Sequence, residues 1–269
     1  METETLSKGE QRRRQIMQWL KKEGQISLAE ITARLGCSEA TARRDLDHLA
    51  RSGDVIRTIG GARLDMAVIG REFSFQEKRN LLRLEKEAIA ARAASLIREG
   101  DIVGLTGGTT TFLIARELKT MSGITVVTNA VNIAMELADS DGIQVVVTGG
   151  VMRSKSYELC GPLAQSVVEK LNIGTMFLGI DGISPEGGVT TFSEAEAEIG
   201  RLLISRSVRT IAVFDHTKAG RTSLFSYAPL SALSACVTDR PLDADLERSL
   251  REAGVEILYA PVPASGDSD

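Results

Sequence analysis

Residues 12–46 read RRRQIMQWLKKEGQISLAEITARLGCSEATARRDL, three apolar stripes at helical spacing broken twice by glycine. Ile16, Trp19 and Leu20 mark a first helix that Gly24 closes. Ser27 opens a second, with Glu30 three residues on as its capping-box partner, ahead of Leu28, Ile31 and Leu35. Gly36 turns the chain. Ser38 then starts a third helix in which Ala42, Leu46 and Leu49 form one stripe, while Thr41, Arg44, His48 and Arg51 form the opposite one. None of these short helices buries much alone, so the stripes must close on one another as a helix-turn-helix.

The third helix is the part able to enter a DNA groove. Ser38 and Thr41 can hydrogen-bond phosphate or base, and Arg43 and Arg44 can fork onto a guanine edge or clamp phosphates. Phosphates would repel Asp45, which is therefore predicted to turn inward and pair with an arginine such as Arg12. After Gly53, residues 55–63 (VIRTIGGAR) read as a hairpin with a Gly60-Gly61 turn, a wing that sets Arg57 and Arg63 beside the groove. Charge separates this part from the rest. Residues 8–63 hold twelve Lys and Arg against seven Asp and Glu, whereas from residue 64 onward twenty basic side chains face twenty-seven acidic ones. Only the first segment has the electrostatic footprint of a phosphate binder. A solvated arginine face on a protein-interaction module is the competing reading of the same residues.

At 269 residues the chain can hold this unit and a second domain of about 190 residues, each with its own core. The expected boundaries are 1–63 for the DNA-binding unit, 64–75 for a linker, 76–260 for a sensor domain and 261–269 for a tail. A composition 43% hydrophobic and 25% charged reads as a soluble protein. No charged start with an apolar run precedes Gln15, and Pro229 and several serines break the uncharged stretch 222–237, so neither a secretory signal nor a membrane span is expected. Cys37, Cys160 and Cys236 are distant, odd in number and without CxxC spacing; reduced thiols, no metal and a cytoplasmic location follow as expectations.

Gln76 to Arg98, rich in Leu, Ala, Glu and Arg, is predicted to be one long helix that Gly100 ends. Beyond it short apolar runs alternate with helical ones. Strands are predicted at 102–106, 124–128, 145–148, 176–180, 210–214, 235–238 and 255–259, with helices at 112–118, 132–138, 163–171, 194–205 and 242–252. Strands apolar on both faces and separated by helices indicate a mainly parallel sheet covered on both sides, an α/β domain. Small polar residues follow the strands: Gly107, Gly108, Thr109, Thr110 and Thr111, then Asn129, Gly149 with Gly150, Asp181, and Asp215. Ligands of open parallel sheets sit outside the carboxyl ends of the strands. The Gly-Gly-Thr-Thr-Thr loop before a helix suits a phosphate, although glycine and threonine also make ordinary strand-to-helix turns. Lys218 and Arg221 could neutralise that anion, Asp181 could accept from sugar hydroxyls, and Arg153 is a weaker candidate of the same kind. A solvated loop is the alternative for Lys218 and Arg221.

From Arg12 to Leu46 the spacing is similar to the helix-turn-helix signature of the DeoR family of bacterial transcriptional regulators, with Ala42 in place of the commoner isoleucine. The segments LTGGTTTFLIARELK, ITVVTNAVNIAMELA, VVVTGGVMR, CGPLA, MFLGIDGISPEGGVTT and FDHTKAGR resemble the successive blocks of that family's C-terminal effector domain. The resemblance implies a winged helix-turn-helix joined to a fold like those of ribose phosphate isomerases and CoA transferases. It further implies an operator duplex and a phosphorylated sugar or related metabolite as partners, the phosphate held by Gly107 to Thr111, and Asp181 and Lys218 standing where isomerases keep catalytic groups. His216-Thr217 replaces the usual two serines before the lysine. No catalytic residue and no cofactor is assigned. The expected function is a regulator, a repressor by family habit, acting as a homo-oligomer, dimer or tetramer. A sugar-phosphate isomerase is the alternative, with Asp181 or Asp215 as base; no paired acid and base is evident in the sequence near Asp181.

Overall fold

The computed structural model describes residues 7–51, 55–64 and 72–262. Gly53, residues 65–71 of the expected linker and residues 263–269 of the expected tail lie outside the described residues. The chain divides into two compact units, Met1–Leu81 and Leu82–Asp269.

The first unit contains α1 (Lys8–Glu23), β1 (Gln25–Ser27), α2 (Leu28–Leu35), α3 (Glu39–Arg51), β2 (Val55–Thr58), β3 (Gly61–Leu64) and α4 (Phe75–Arg79). The capping box forms as the spacing predicts: the Glu30 amide donates to Ser27 Oγ at 3.2 Å and the Ser27 amide to the Glu30 carboxylate at 2.8 Å. Ile16, Leu20, Ile31, Ala42 and Leu46 meet in one core with no accessible surface. Arg34 forks onto Glu23 at 2.7 and 3.0 Å and lies 5.2 Å over the Trp19 ring, tying α2 to α1. Asp45 is buried and turned inward. Its carboxylate accepts from Arg12 Nε at 2.8 Å and from Arg13 at 3.4 Å, which joins α3 to α1.

The wing is an antiparallel sheet in the order β1-β3-β2. Sequence reading misses β1, three residues too short to alternate. Gly61 makes that pairing feasible, because a Cβ there would lie 2.2 Å from the Ile26 carbonyl oxygen. The hairpin therefore turns at Ile59 and Gly60, with Gly60 at φ +95, and Gly61 belongs to the strand.

The end of the expected linker and the expected long helix need correction. Phe73 packs into the core of the first unit, and Ser74 caps α4 with Glu77 in a further capping box. Leu82, at φ +49 in the left-handed region, then separates α4 from α5 (Arg83–Ala94). A period of 3.6 continues across this break, and periodicity alone reads it as one helix.

The second unit continues with β4 (Ile102–Leu105), α6 (Thr109–Leu118), β5 (Ile124–Thr128), α7 (Val131–Leu137), β6 (Ile143–Val147), β7 (Val151–Met152), β8 (Leu159–Cys160), α8 (Pro162–Val168) and β9 (Ile173–Gly179). It ends with β10 (Gly182–Ser184), β11 (Gly188–Thr191), α9 (Glu194–Ser205), β12 (Ser207–Val213), β13 (Phe225–Ala228), β14 (Ala235–Thr238), α10 (Ala244–Glu252) and β15 (Glu256–Tyr259). All seven predicted strands meet in one sheet of order β15-β14-β12-β9-β4-β5-β6, parallel throughout. Successive residues feed opposite helical layers. Val126, Phe177, Ile211 and Val237 pack with α5, α6 and α7, whereas Val127, Leu178, Ala212 and Cys236 pack on the side of α8, α9 and α10. The chain leaves β4 toward β5 and later returns to its other side as β9, so the carboxyl ends of β4 and β9 form a topological switch point. Two small antiparallel additions, β7-β8 and β10-β11-β13, lie outside the sequence reading because their strands have two to four residues. All three cysteines are free, and burial pushes the Cys160 and Cys236 thiols up to about 12. Among the described residues no helix is long and apolar enough to cross a membrane.

Asp45→Ala removes the ion pairs between α1 and α3 and leaves two partly exposed guanidinium groups unpaired. A loss of about 1–2 kcal/mol is expected, discounted for that exposure, and urea unfolding followed by Trp19 fluorescence measures it.

Candidate functional site

On the first unit, α3 presents Arg43, Arg44, Asp47, His48 and Arg51 to solvent. Arg44 has no ion-pair partner among the described residues, while Arg43 pairs with Glu39 one turn back at 2.5 Å, both side chains more than half exposed. Such a pair is worth only about 0.3–0.5 kcal/mol. Ser38 and Thr41 hydroxyls lie 2.9 Å apart, and the Thr41 amide donates to Ser38 Oγ at 3.3 Å, so both sit at the start of α3 as its cap. Arg57 reaches Asp47 on α3 at 3.1 Å and donates to the Gly61 carbonyl at 3.1 Å, bracing the wing. Arg63 is half-buried on β3 between Gln25 and Ile56.

On the second unit, the small polar residues collect at the carboxyl ends of the strands. Gly108 caps α6 at φ +133 with no side-chain hydrogen bond to the first turn, so the leading amides of Thr109 to Thr111 have no side-chain cap. Thr106 Oγ1 accepts from the Gly179 amide at 2.9 Å, and a Cβ on Gly179 would come within 2.9 Å of the Gly107 carbonyl oxygen. The ends of β4 and β9 are thereby locked together at the switch point. Asn129 is fully buried at the end of β5, where Thr128 Oγ1 donates to the Leu105 carbonyl at 2.8 Å. Gly149 and Gly150 follow β6, and Gly150 is explained by the close approach of Cys160 and Ala164.

A network of carboxylates runs between these loops. Arg153 pairs with Glu196, whose other oxygen accepts from Thr191 Oγ1 at 3.0 Å; Thr191 also lies 3.3 Å from Asp181. Asn129 Nδ2 donates to Glu158 Oε2 at 3.1 Å. Burial, and then the charge of Glu196, push the Glu158 carboxyl well above the usual range; the Asn129 hydrogen bond and Arg153 oppose this without cancelling it. Beyond β12, burial works against ionisation of Asp215. The charges of Lys218 and Lys86, with hydrogen bonds from Thr217, outweigh burial and hold it below the usual range. His216 Nδ1 and amide both meet the Asp239 carboxylate at 2.7 Å. Arg221 is half-exposed, and its carbonyl abuts Gly182.

Glu158 and Glu196 are the residues that sequence reading missed. Glu158 sits in a hairpin too short to signal itself, and Glu196 stands three residues after Ser193, where spacing assigns it to a capping box. Only half of that box forms: the Glu196 amide donates to Ser193 Oγ at 3.4 Å, while the carboxylate faces Arg153.

Residues 12–67 match the DeoR-like helix-turn-helix domain and residues 83–240 the DeoR C terminal sensor domain. The chain belongs to the DeoR family. Relatives with which it shares most of its length include the HTH-type transcriptional regulator GlpR of Haloferax volcanii, 35% identical over 92% of this chain and 96% of that one. The HTH-type transcriptional repressor GlcR of Bacillus subtilis is 35% identical over 90% and 93%. The lactose phosphotransferase system repressor of Streptococcus mutans is 33% identical over 89% and 95%. As a DeoR-family member the chain is a DNA-binding transcriptional regulator and not an enzyme. Solved structures that it is similar to include ribose 5-phosphate isomerase A of Methanocaldococcus jannaschii, with TM-score 0.38 and 15% identity over 49% of this chain and 52% of that one. A 4-hydroxybutyrate CoA-transferase of Porphyromonas gingivalis gives 0.40 and 17% over 63% and 50%. Likeness at this level carries no functional inference.

The displaced Glu158 pKa sets a pH dependence for this DeoR-family chain. Below the ordinary carboxylate value of 4.5 both folded and unfolded chains hold the proton; above it the unfolded chain releases it and the folded one does not, so stability falls with rising pH. Glu158→Gln keeps the shape of the protonated acid without this cost. Its stability should match the parent at about pH 4 and exceed it at about pH 8, measured by urea unfolding across that range.

Proposed function

We propose that the protein is a ligand-controlled repressor of carbohydrate genes, which holds an operator until a phosphorylated sugar enters the crevice of the second unit. On this reading Arg44 is the base-reading candidate of α3, and Ser38, Thr41, Arg43, Arg57 and Arg63 contact the duplex backbone. Arg43 exchanges its weak pairing with Glu39 for phosphate. The sensor half rests on one observation, the start of α6 left without a side-chain cap at the switch point of a parallel sheet. Uncapped backbone amides at that place in a parallel sheet suit an anion. Gly107 to Thr111 take the phosphate, Lys218 adds charge beside Asp215, and Asp181 and Asn129 meet the hydroxyl-bearing part. Gly149, Gly150, Arg153 and Arg221 border the same space.

Binding can release DNA only if the two arrangements of the protein differ in affinity for the sugar phosphate. Arg153 and Glu196 supply a pair that an anion would rearrange, since the anion competes with Glu196 for the guanidinium. One small winged unit offers limited contact area, so self-association into a dimer or tetramer pairs the units on two half-sites. Such a regulator works in the cytoplasm, with the genes and the phosphorylated sugars. The names of the relatives, the transcriptional repressor GlcR and a lactose phosphotransferase system repressor among them, support repression and carbohydrate control.

Arg44→Ala should weaken operator binding by about 1–3 kcal/mol in a sequence-dependent way, read by fluorescence anisotropy on matched and mismatched operators. A uniform loss reassigns the arginine to phosphate. Lys218→Ala, or Gly108→Val at its positive φ, should leave operator affinity intact and abolish the release caused by sugar phosphates. Retained release in both variants defeats the crevice assignment.

A further inference from the structure

Among the described residues five buried side-chain polar atoms lack a hydrogen-bond partner, and four of them fall in one place: Asn129 Oδ1, Asn132 Oδ1, Asn132 Nδ2 and Ser156 Oγ. Backbone pairing brings them there. Ala130 bridges Glu158 antiparallel, the Leu159 amide donates to the Asn129 carbonyl at 2.6 Å, and the Val131 amide donates to the Tyr157 carbonyl at 3.0 Å. Asn132, in the first turn of α7, and Ser156, in the turn before Glu158, are the chain neighbours of the bonded pair Val131 and Tyr157. The two side chains do not bond each other. Buried polar atoms are nearly always satisfied, and an amide with both its donor and its acceptor free carries a desolvation penalty that a bound group would relieve.

Glu158 connects this cluster to the loop that starts α6. Its Oε2 accepts from Asn129, and its Oε1 lies 2.3 Å from where a Cβ of Gly107 would stand. Only a glycine leaves room for the carboxyl there. The unsatisfied set therefore offers an amide donor, two amide acceptors and a hydroxyl, beside a carboxyl group, at the edge of the crevice that begins with Gly107.

We propose that Asn129, Asn132, Ser156 and Glu158 form a hydroxyl-recognition subsite, contiguous with the α6 loop, that binds the polyol chain of the sugar effector. The inference rests on the crevice reading above and adds the part of the ligand remote from its phosphate. A sugar hydroxyl donates one hydrogen bond and accepts two, so neighbouring hydroxyls match a mixed set of donors and acceptors that neither a bare phosphate nor an apolar group would satisfy. Burial holds the Glu158 carboxyl toward its protonated form, which lets it donate to a hydroxyl without repelling the phosphate on the adjoining loop.

The test uses the full chain and measures dissociation constants by thermal shift and calorimetry for inorganic phosphate, glycerol 3-phosphate, glucose 6-phosphate, fructose 6-phosphate and the free polyol sorbitol. Asn132→Leu, nearly isosteric, and Ser156→Ala, a minimal truncation, are compared with the parent. Each should weaken the preferred sugar phosphate about tenfold or more and leave inorganic phosphate unchanged. Without ligand, Asn132→Leu should melt no lower than the parent, because it removes unsatisfied polar atoms. Equal affinity of both variants for the sugar phosphates means that the cluster holds only ordered water, and overturns the subsite. Equal losses for inorganic phosphate and sugar phosphates overturn it as well, since the damage is then general. A parent that binds sorbitol and no phosphorylated compound keeps the subsite and removes the phosphate reading; a parent that binds none of the probes removes both.

Discussion

Close packing at Gly107 is the constraint from which the sensor unit's working end follows. A side chain there would collide with Glu158, its Cβ only 2.2 Å from Glu158 Cγ, and the neighbouring Gly179 admits none either without striking the Gly107 carbonyl. The ends of two parallel strands and a buried carboxyl are thus pressed together where the strand order reverses. Gly108, which follows, starts α6 without a side-chain cap. The hydroxyls of Thr106 and Thr128 hold the strand ends in place by hydrogen bonds to Gly179 and Leu105.

Electrostatics in the same crevice are balanced between opposing groups. Glu158, Glu196 and Asp181 gather three acids near a single arginine, Arg153, while Asp215 sits with Lys218 and Lys86. In a low-dielectric site so many acids cannot all ionise without loss, and the structure meets this by displacing Glu158 toward its neutral form. An incoming anion that draws Arg153 away from Glu196 alters the charge around Glu158 in turn. On the proposed reading, effector binding and proton binding at Glu158 are coupled through Arg153 and Glu196.

The DNA-binding unit solves a different problem. Its helices share one apolar core, and Asp45 adds a polar constraint by pairing with Arg12 and Arg13 of α1. This inward turn also clears a negative charge from the face that carries Arg44. Arg57 does similar work for the wing, spending its guanidinium on Asp47 and the Gly61 carbonyl.

Periodicity, capping signals and charge determined the order of elements: three helices and a wing, then seven strands alternating with helices. They also led to the inward turn of Asp45, because repulsion between a carboxylate and phosphate is local chemistry. Glycine and threonine after the strands marked the end of the sheet at which a ligand is proposed, since the rule about carboxyl ends needs only chain direction. Other features were decided by tertiary structure alone. Leu82 breaks a continuous helical pattern by adopting a left-handed conformation that no local propensity favours, and Phe73 leaves the expected linker for the core of the first unit. Glu158 and Glu196 carry no sign of a shared role along the chain, and they come together with Arg153 only because distant segments pack side by side. Burial and neighbouring charge, which set their chemistry, are properties of that packing and do not exist along the chain.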